Sequence, residues 1–140
     1  MHDGLNLQNL AGKNDLQKLS YSVVGAAIKV HKELGPGLLE KAYQECLCYE
    51  IAKLGLHVEK EIPMPMVYKG VQLHCGFRLD ILVEDCLVVE TKAVRVINEI
   101  HLVQLLSYLK QGDYRLGLLI NFNTVVLKNG IQRVVNGLHE

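Results

Sequence analysis

The chain has 140 residues, which is enough for one domain with a substantial core. Apolar residues make up 49% of it and charged residues 21%, a balance typical of globular proteins and not of disordered ones. The formal net charge is zero, so the composition lacks the basic excess that is common in nucleic-acid-binding proteins. No apolar run is long enough to span a membrane.

The composition also bears on the cellular compartment. The four cysteines are irregularly spaced in a domain that does not need disulfides, which favours a reducing environment. They also lack the paired spacing of a zinc site. The first residues show no basic segment followed by an apolar one, as a secretory signal would. We therefore expect a cytoplasmic protein with no membrane partner.

The N-terminal part of the chain is predicted to be helical. Residues 1–14, rich in Asn, Gly and Lys, are expected to form a loosely ordered tail, and residues 15–140 a single domain. Apolar residues at helical spacing predict a first helix that Asn14 or Asp15 caps and that ends at Gly35 and Pro36.

The rest of the chain is predicted to alternate between strands and helices. Turn residues and apolar periodicity separate the elements. In chain order they are a second helix over residues 37–55, short strands on either side of Lys69–Gly70, a strand over 77–83, a strand over 86–92, a third helix over 98–112, a strand over 114–122, and a final strand or hairpin with Asn129–Gly130 at its turn.

Two neighbouring strands carry Asp80, Glu90 and Lys92 among Leu, Ile and Val residues. A two-residue loop between them would place Asp80 opposite Val89, whereas a three-residue loop over 84–86 places Asp80 opposite Glu90. The longer loop is favoured because it collects the charges on one face. The other face would then carry Phe77, Leu79, Ile81, Leu87 and Val89.

Two interpretations of this charged face remain open. Opposed carboxylates repel each other, and a divalent cation bound between them would turn this repulsion into a net attraction. Two carboxylates, completed by water and phosphate oxygens, suit Mg²⁺ or Mn²⁺, and Lys92 could hold a water molecule or stabilise developing charge. In the other interpretation, Asp80, Glu90 and Lys92 form the exposed, ion-paired face of an ordinary sheet.

An Asp followed about ten residues later by Glu-x-Lys on an adjacent strand resembles the PD-(D/E)XK nuclease superfamily. The segment "GPGLLEKAY" places Gly37, Glu40 and Tyr43 at the spacing that names the GxxExxY family, a small bacterial and archaeal branch of that superfamily. The resemblance covers roughly residues 18–136. It implies an α/β fold with a restriction-endonuclease-like αβββαβ core, in which helices flank a mixed central sheet, and an extra N-terminal helix.

The resemblance also implies roles for individual residues. Asp80 and Glu90 would bind the metal, and Lys92 would position the attacking water. Glu40 would supply a further acid to the catalytic centre, and Gln104 would be a helical polar residue aimed at it. Thr91 departs mildly from the apolar residue expected there, and it is predicted to face away from the site.

Several of these residues have structural alternatives. With Gly37 as N-cap, Glu40 would stand at the third helical position and stabilise the helix start. Gln104 could be a satisfied buried amide among leucines. Tyr43 is expected in the core, with its hydroxyl bonded near the site. Arg78 and Arg95 could contact phosphate, although pairing with a nearby acid is the stronger expectation for Arg78.

The working hypothesis is a metal-dependent phosphodiester hydrolase, a nuclease acting on DNA or RNA with Mg²⁺ or Mn²⁺. The alternative is a non-catalytic module that retains the nuclease fold and binds nucleic acid or a protein. A homodimer is a further expectation, because one apolar helix face is hard to bury against so small a sheet.

Overall fold

The structure, a computed structural model, describes residues 13–137. The predicted tail therefore lies, over residues 1–12, outside the described residues. The first helix begins at Lys13, slightly before the predicted caps Asn14 and Asp15.

Three helices and seven strands make up the described part of the chain. The helices are α1 (Lys13–Leu34), α2 (Glu40–Lys53) and α3 (Glu99–Gly112). The strands are β1 (Val58–Pro63), β2 (Met66–Tyr68), β3 (Val71–Leu73), β4 (Arg78–Val83), β5 (Leu87–Lys92), β6 (Leu116–Asn121) and β7 (Ile131–Val135). None of the helices within residues 13–137 is long and apolar enough to cross a bilayer.

Five strands form a mixed sheet in the order β1-β4-β5-β6-β7. Only the β5–β6 pair is parallel, and α3 makes the crossover between these two strands. β2 and β3 form a separate hairpin around the predicted turn. With the β2–β3 hairpin set aside, the path from α2 to β6 is αβββαβ with one additional helix before it, which agrees with the predicted fold class.

Both faces of the sheet are covered. Helices α1 and α2 pack on one face and enclose a core that includes Val23, Leu47 and Val89. Helix α3 covers the other face, where Leu105 and Leu109 pack on Val88. The central strands β5 and β6 are therefore buried on both sides, which explains their continuous apolar sequence.

Two details of the predicted strands are wrong. β1 was not predicted, because its sequence "VEKEIP" is half charged and the strand lies at the sheet edge, where Glu59 and Lys60 are exposed. The turn at Asn129–Gly130 does not join a hairpin. It lies in a 3₁₀ turn (Leu127–Gly130) directly before the single strand β7.

The predicted alternation of β4 is also wrong at one point. Ile81 lies in the core under α1 and α2, but Leu79 lies in the core under α3, although both were placed on one face. The β1–β4 ladder is interrupted between these two residues, where Glu61 adopts a φ of 51°. The backbone rotates there, and the interruption falls at Asp80.

Candidate active site

Asp80, Glu90 and Lys92 lie at the end of the sheet where β4 begins and β5 ends. The β4–β5 ladder pairs Val83 with Leu87 and Ile81 with Val89, so a three-residue loop joins the strands as predicted. The regular ladder stops at the Ile81–Val89 pair. The two carboxylates therefore stand where the strands cease to pair through their backbones.

The carboxylates replace the missing backbone pairing. The Asp80 N–H donates to Oε2 of Glu90 at 3.0 Å, and the Thr91 N–H donates to Oδ2 of Asp80 at 3.0 Å. The Thr91 hydroxyl also donates to Oδ2 of Asp80, at 3.3 Å. One oxygen of each carboxylate thus accepts these hydrogen bonds, whereas Oδ1 of Asp80 and Oε1 of Glu90 take no part in them.

Thr91 was predicted to face away from the site, but it contacts the Asp80 carboxylate. Thr91 is fully buried, and its backbone and hydroxyl both hold the Asp80 carboxylate. The Gln44 side-chain amide donates to the carbonyl of Asp80 at 3.2 Å and is also buried. Asp80 is consequently fixed at its N–H, its carbonyl and its carboxylate.

Burial dominates the electrostatics of the two acids. Desolvation, reinforced by the negative charge of Asp80, raises the pKa of Glu90, whose side chain is 4% exposed. Desolvation also raises the pKa of Asp80, while the Thr91 N–H opposes this shift. Without a cation, the pair therefore favours retaining a proton near neutral pH.

Lys92 acts electrostatically on three acids together. Its positive charge lowers the pKa of Asp80, of Glu90 and of Glu40, against the larger effect of desolvation on each. The half-buried ammonium makes no hydrogen bond or ion pair with any residue in the described range 13–137. It stands near the acids without being bound to one of them.

Glu40 occupies a different position at the start of α2 from the one predicted. The N-cap of α2 is Leu39, so Glu40 is the first helical residue and not the third, and Gly37 lies before the cap with a φ of 100°. The pKa of Glu40 is raised by desolvation and by the charge of Asp80. Glu40, at the start of α2, therefore interacts electrostatically with Asp80 and Lys92.

Tyr43 organises the segment that precedes α2. It is fully buried and stacks on Phe122 with ring centroids 4.6 Å apart. Its hydroxyl donates to the Gly35 carbonyl at 2.6 Å and accepts from the Leu38 N–H at 3.1 Å. The hydroxyl thus fixes the turn that delivers Glu40 to the site.

The remaining predicted residues lie farther from this centre or point elsewhere. Gln104 is exposed, so the alternative of a buried amide is wrong, and its role at the site stays a prediction. Arg78 is paired with Glu61 at 3.5 Å, in line with the structural alternative. Arg95 is exposed in the segment between β5 and α3.

The donor set fits a hard divalent cation. Asp80 and Glu90 each present an oxygen that the hydrogen bonds above leave over, and their raised pKa values mark buried negative charge that a cation would stabilise. Two protein ligands leave several coordination positions for water and phosphate oxygens, an arrangement common for Mg²⁺.

A second group of metal-ligating side chains was missed from sequence. The ligand atoms of His57, Glu59 and Asp85 lie within 4.8 Å of one another, and all three residues are exposed. This group stands at the opposite end of β1 and β4 from Asp80. His57 and Glu59 are two residues apart, which would place them on one side of a strand, but β1 itself was not predicted.

The fold and the acid pair define a class of protein: an α/β protein with two carboxylates and a lysine at the end of adjacent strands. A sequence model of the PD-(D/E)XK nuclease superfamily matches residues 17–134. The chain belongs to the PD-(D/E)XK nuclease superfamily, and its sheet and helices are those of a restriction-endonuclease-like fold. No curated protein and no solved structure matches it. Assignment to the GxxExxY branch stays a prediction.

Proposed function

We propose that the protein is a metal-dependent nuclease that hydrolyses phosphodiester bonds in DNA or RNA. The observation that carries the proposal is the pairing of the buried Glu90 with the half-buried Asp80, whose pKa values are both raised by desolvation while the Lys92 charge opposes the shift. Two carboxylates removed from water cost stability unless a proton or a bound cation neutralises their charge. Membership of the nuclease superfamily supports the same conclusion.

Each residue has a distinct role in this proposal. Asp80 and Glu90 hold a divalent cation, Mg²⁺ or Mn²⁺, which when bound polarises the phosphate and lowers the pKa of bound water. Lys92 orients the attacking water and stabilises negative charge on the phosphate. Glu40, whose pKa is raised, accepts or returns a proton in this proposal. Gln104 and the two arginines, Arg78 and Arg95, are proposed as substrate contacts.

The direct test is cleavage of labelled single- and double-stranded DNA and RNA with Mg²⁺, with Mn²⁺ and with EDTA. Lys92→Met is the most informative variant, because the ammonium makes no bond within residues 13–137 and its loss should leave the fold intact. We expect cleavage only with metal, and a loss of at least a hundredfold in Lys92→Met. Absence of cleavage by the parent, or equal cleavage by the variant, would contradict the proposal.

A non-catalytic module with the nuclease fold is the second candidate. It is favoured by the zero net charge, which lacks the excess of phosphate-binding side chains common in nucleic-acid enzymes. It predicts that fluorescence anisotropy detects binding of the same oligonucleotides without turnover. Lys92→Met should then change the affinity by less than about threefold.

We further propose a cytoplasmic homodimer. Five apolar residues of the β2–β3 hairpin are exposed: Met66, Val67, Tyr68, Val71 and Leu73. Such a surface is larger than isolated exposed side chains and favours association. Light scattering at two protein concentrations tests the dimer, and a monomer mass at both would contradict it.

A further inference from the structure

A cavity with several polar lining residues adjoins the candidate site at the same end of the sheet. It has a volume of about 230 Å³ and lies between the segment that follows β5, the end of β6 and the start of β7. Five of the side chains that line it are polar: Arg95, Asn121, Thr124, Asn129 and Gln132.

Strand register places this cavity on the face that carries Glu90 and Lys92. Glu90 stands beside Leu119 in the β5–β6 ladder, and Leu119 stands beside Gln132 in the β6–β7 ladder. Residues that stand side by side in paired strands share a face, so Glu90, Leu119 and Gln132 form one row across the sheet. Because neighbouring strands are about 4.8 Å apart, Gln132 lies roughly 10 Å from Glu90 along this row. In the neighbouring row, Lys92 stands beside Asn121, which lines the cavity.

The cavity combines a fixed wall with free polar groups. The Asn121 side chain is held at both ends of its amide, since Oδ1 accepts from the Val94 N–H and Nδ2 donates to the Val94 carbonyl. By contrast, the side chains of Arg95, Asn129 and Gln132 make no hydrogen bond or ion pair within the described residues 13–137. These three are available to a ligand.

The free groups match the parts of a nucleotide. The amides of Asn129 and Gln132 each offer a donor and an acceptor, as the edge of a nucleobase requires. The Arg95 guanidinium suits a phosphate. The cavity is smaller than the roughly 300–1,000 Å³ of drug-sized ligand sites and suits a single base.

A larger cavity does not compete for this role. It measures about 570 Å³ and lies between α1 and α2, lined by residues such as Lys29, Tyr49 and Glu50. None of its lining residues belongs to the strands that carry Asp80, Glu90 or Lys92.

We propose that the cavity beside β7 binds the base of an unpaired nucleotide next to the scissile phosphate, while Arg95 contacts the adjoining phosphate. The inference rests on the proposed nuclease function and specifies its substrate as single-stranded nucleic acid or an unpaired strand end. A base held in a duplex has its pairing edge occupied and is excluded from such a cavity.

The test measures binding in EDTA, where no cleavage is required. Tetrathymidylate, a self-complementary DNA duplex and inorganic phosphate are titrated separately into labelled protein and followed by NMR. We expect tetrathymidylate to shift the side-chain amide signals of Asn129 and Gln132. The double variant Asn129→Ala/Gln132→Ala should bind it at least tenfold more weakly, whereas Lys128→Ala, an exposed neighbour outside the cavity lining, should bind it like the parent.

The proposal would be overturned by no binding of tetrathymidylate, by equal affinity for the duplex, or by equal binding by the double variant. Saturation of the same signals by inorganic phosphate alone would show an anion site without base recognition, which also contradicts it. If binding depends on the two amides but no cleavage occurs, the result would support base binding in the cavity and would contradict only the proposed hydrolase activity. Equal melting temperatures of the variants exclude unfolding as the cause.

Discussion

Thr91 is the residue at which the structure adds most to the candidate site. Its N–H and hydroxyl both reach Oδ2 of Asp80 and so orient the remaining oxygen of that carboxylate. Thr91→Val keeps the shape and the N–H bond but removes the hydroxyl bond. We expect about five- to tenfold weaker Mn²⁺ binding by calorimetry, since one hydrogen bond contributes about 1 kcal/mol.

Thr91→Ser serves as the matched control, because it retains the hydroxyl and loses only a methyl group. Its Mn²⁺ affinity should lie within about twofold of the parent. If the Val and Ser variants bind Mn²⁺ equally well, the hydroxyl does not position Asp80.

Glu90 makes the stability of the metal-free protein depend on pH. Burial raises its pKa from 4.5 to about 8, so the folded state retains a proton that the unfolded chain releases. The stabilisation from this proton is complete below about pH 4.5 and is lost as pH rises towards 8. We expect the melting temperature in EDTA, compared with that of Glu90→Gln, to fall across this range.

Mn²⁺ should reverse this trend, because a metal binds the ionised acids and competes with the proton. The difference in melting temperature between Mn²⁺ and EDTA should therefore grow from pH 5 to pH 8. A difference that shrinks with rising pH would contradict a metal site at Glu90.

Residue patterns predicted the acid pair but not its supports. Asp80, Glu90 and Lys92 were recognisable because charges inside apolar strands are costly and the loop length sets the register. Thr91 and Gln44 were missed because alternation assigned Thr91 to the other face, and an interruption of the ladder cannot be read from side-chain type. Contacts across such an interruption depend on the three-dimensional structure and cannot be predicted from sequence patterns.

At the scale of elements, the start of α2 controls how Glu40 is presented. Its N-cap, Leu39, has no side chain that can satisfy the helix end, and the Tyr43 hydroxyl fixes the preceding turn instead. Tyr43→Phe leaves the Leu38 N–H and the Gly35 carbonyl without this partner. We expect a loss of about 1–3 kcal/mol in the free energy of unfolding, measured by urea denaturation.

Tyr49→Phe is the matched control, because Tyr49 lies on the same helix with its ring exposed. Its stability should equal that of the parent within about 0.5 kcal/mol. A Tyr43→Phe protein as stable as this control would show that the buried hydroxyl contributes nothing to the turn.

The elements with strong local patterns were the most predictable. Helix α3 follows its predicted span, because Asn98 caps it and its apolar residues recur at helical spacing. Strand β1 was missed because edge position and charge remove the apolar alternation by which strands are recognised. The strand exists through its pairing with β4, a long-range contact that local sequence does not encode.

At the scale of the whole molecule, two groups able to bind metal lie near opposite ends of β4. The group at His57 is exposed, whereas Glu90 is buried and Asp80 is half-buried. We expect His57→Ala to leave metal-dependent cleavage within about twofold of the parent, because an exposed group makes a minor electrostatic contribution. Asp80→Asn should abolish it.

Mn²⁺ titration by calorimetry separates the two groups, since each variant removes ligands from only one end. Loss of cleavage in His57→Ala, with the fold intact by circular dichroism, would relocate the catalytic metal to the exposed group.

The exchange of hydrogen bonds between Asp80, Glu90 and Thr91 has a consequence for judging degenerate nucleases. These two acids join β4 and β5 where the backbone pairing stops, so their loss would destabilise even a descendant without enzymatic activity. The Lys92 side chain does not join these strands, since its ammonium makes no bond within residues 13–137. Retention of the amine at this position is therefore a sharper indicator of surviving turnover than retention of the acids.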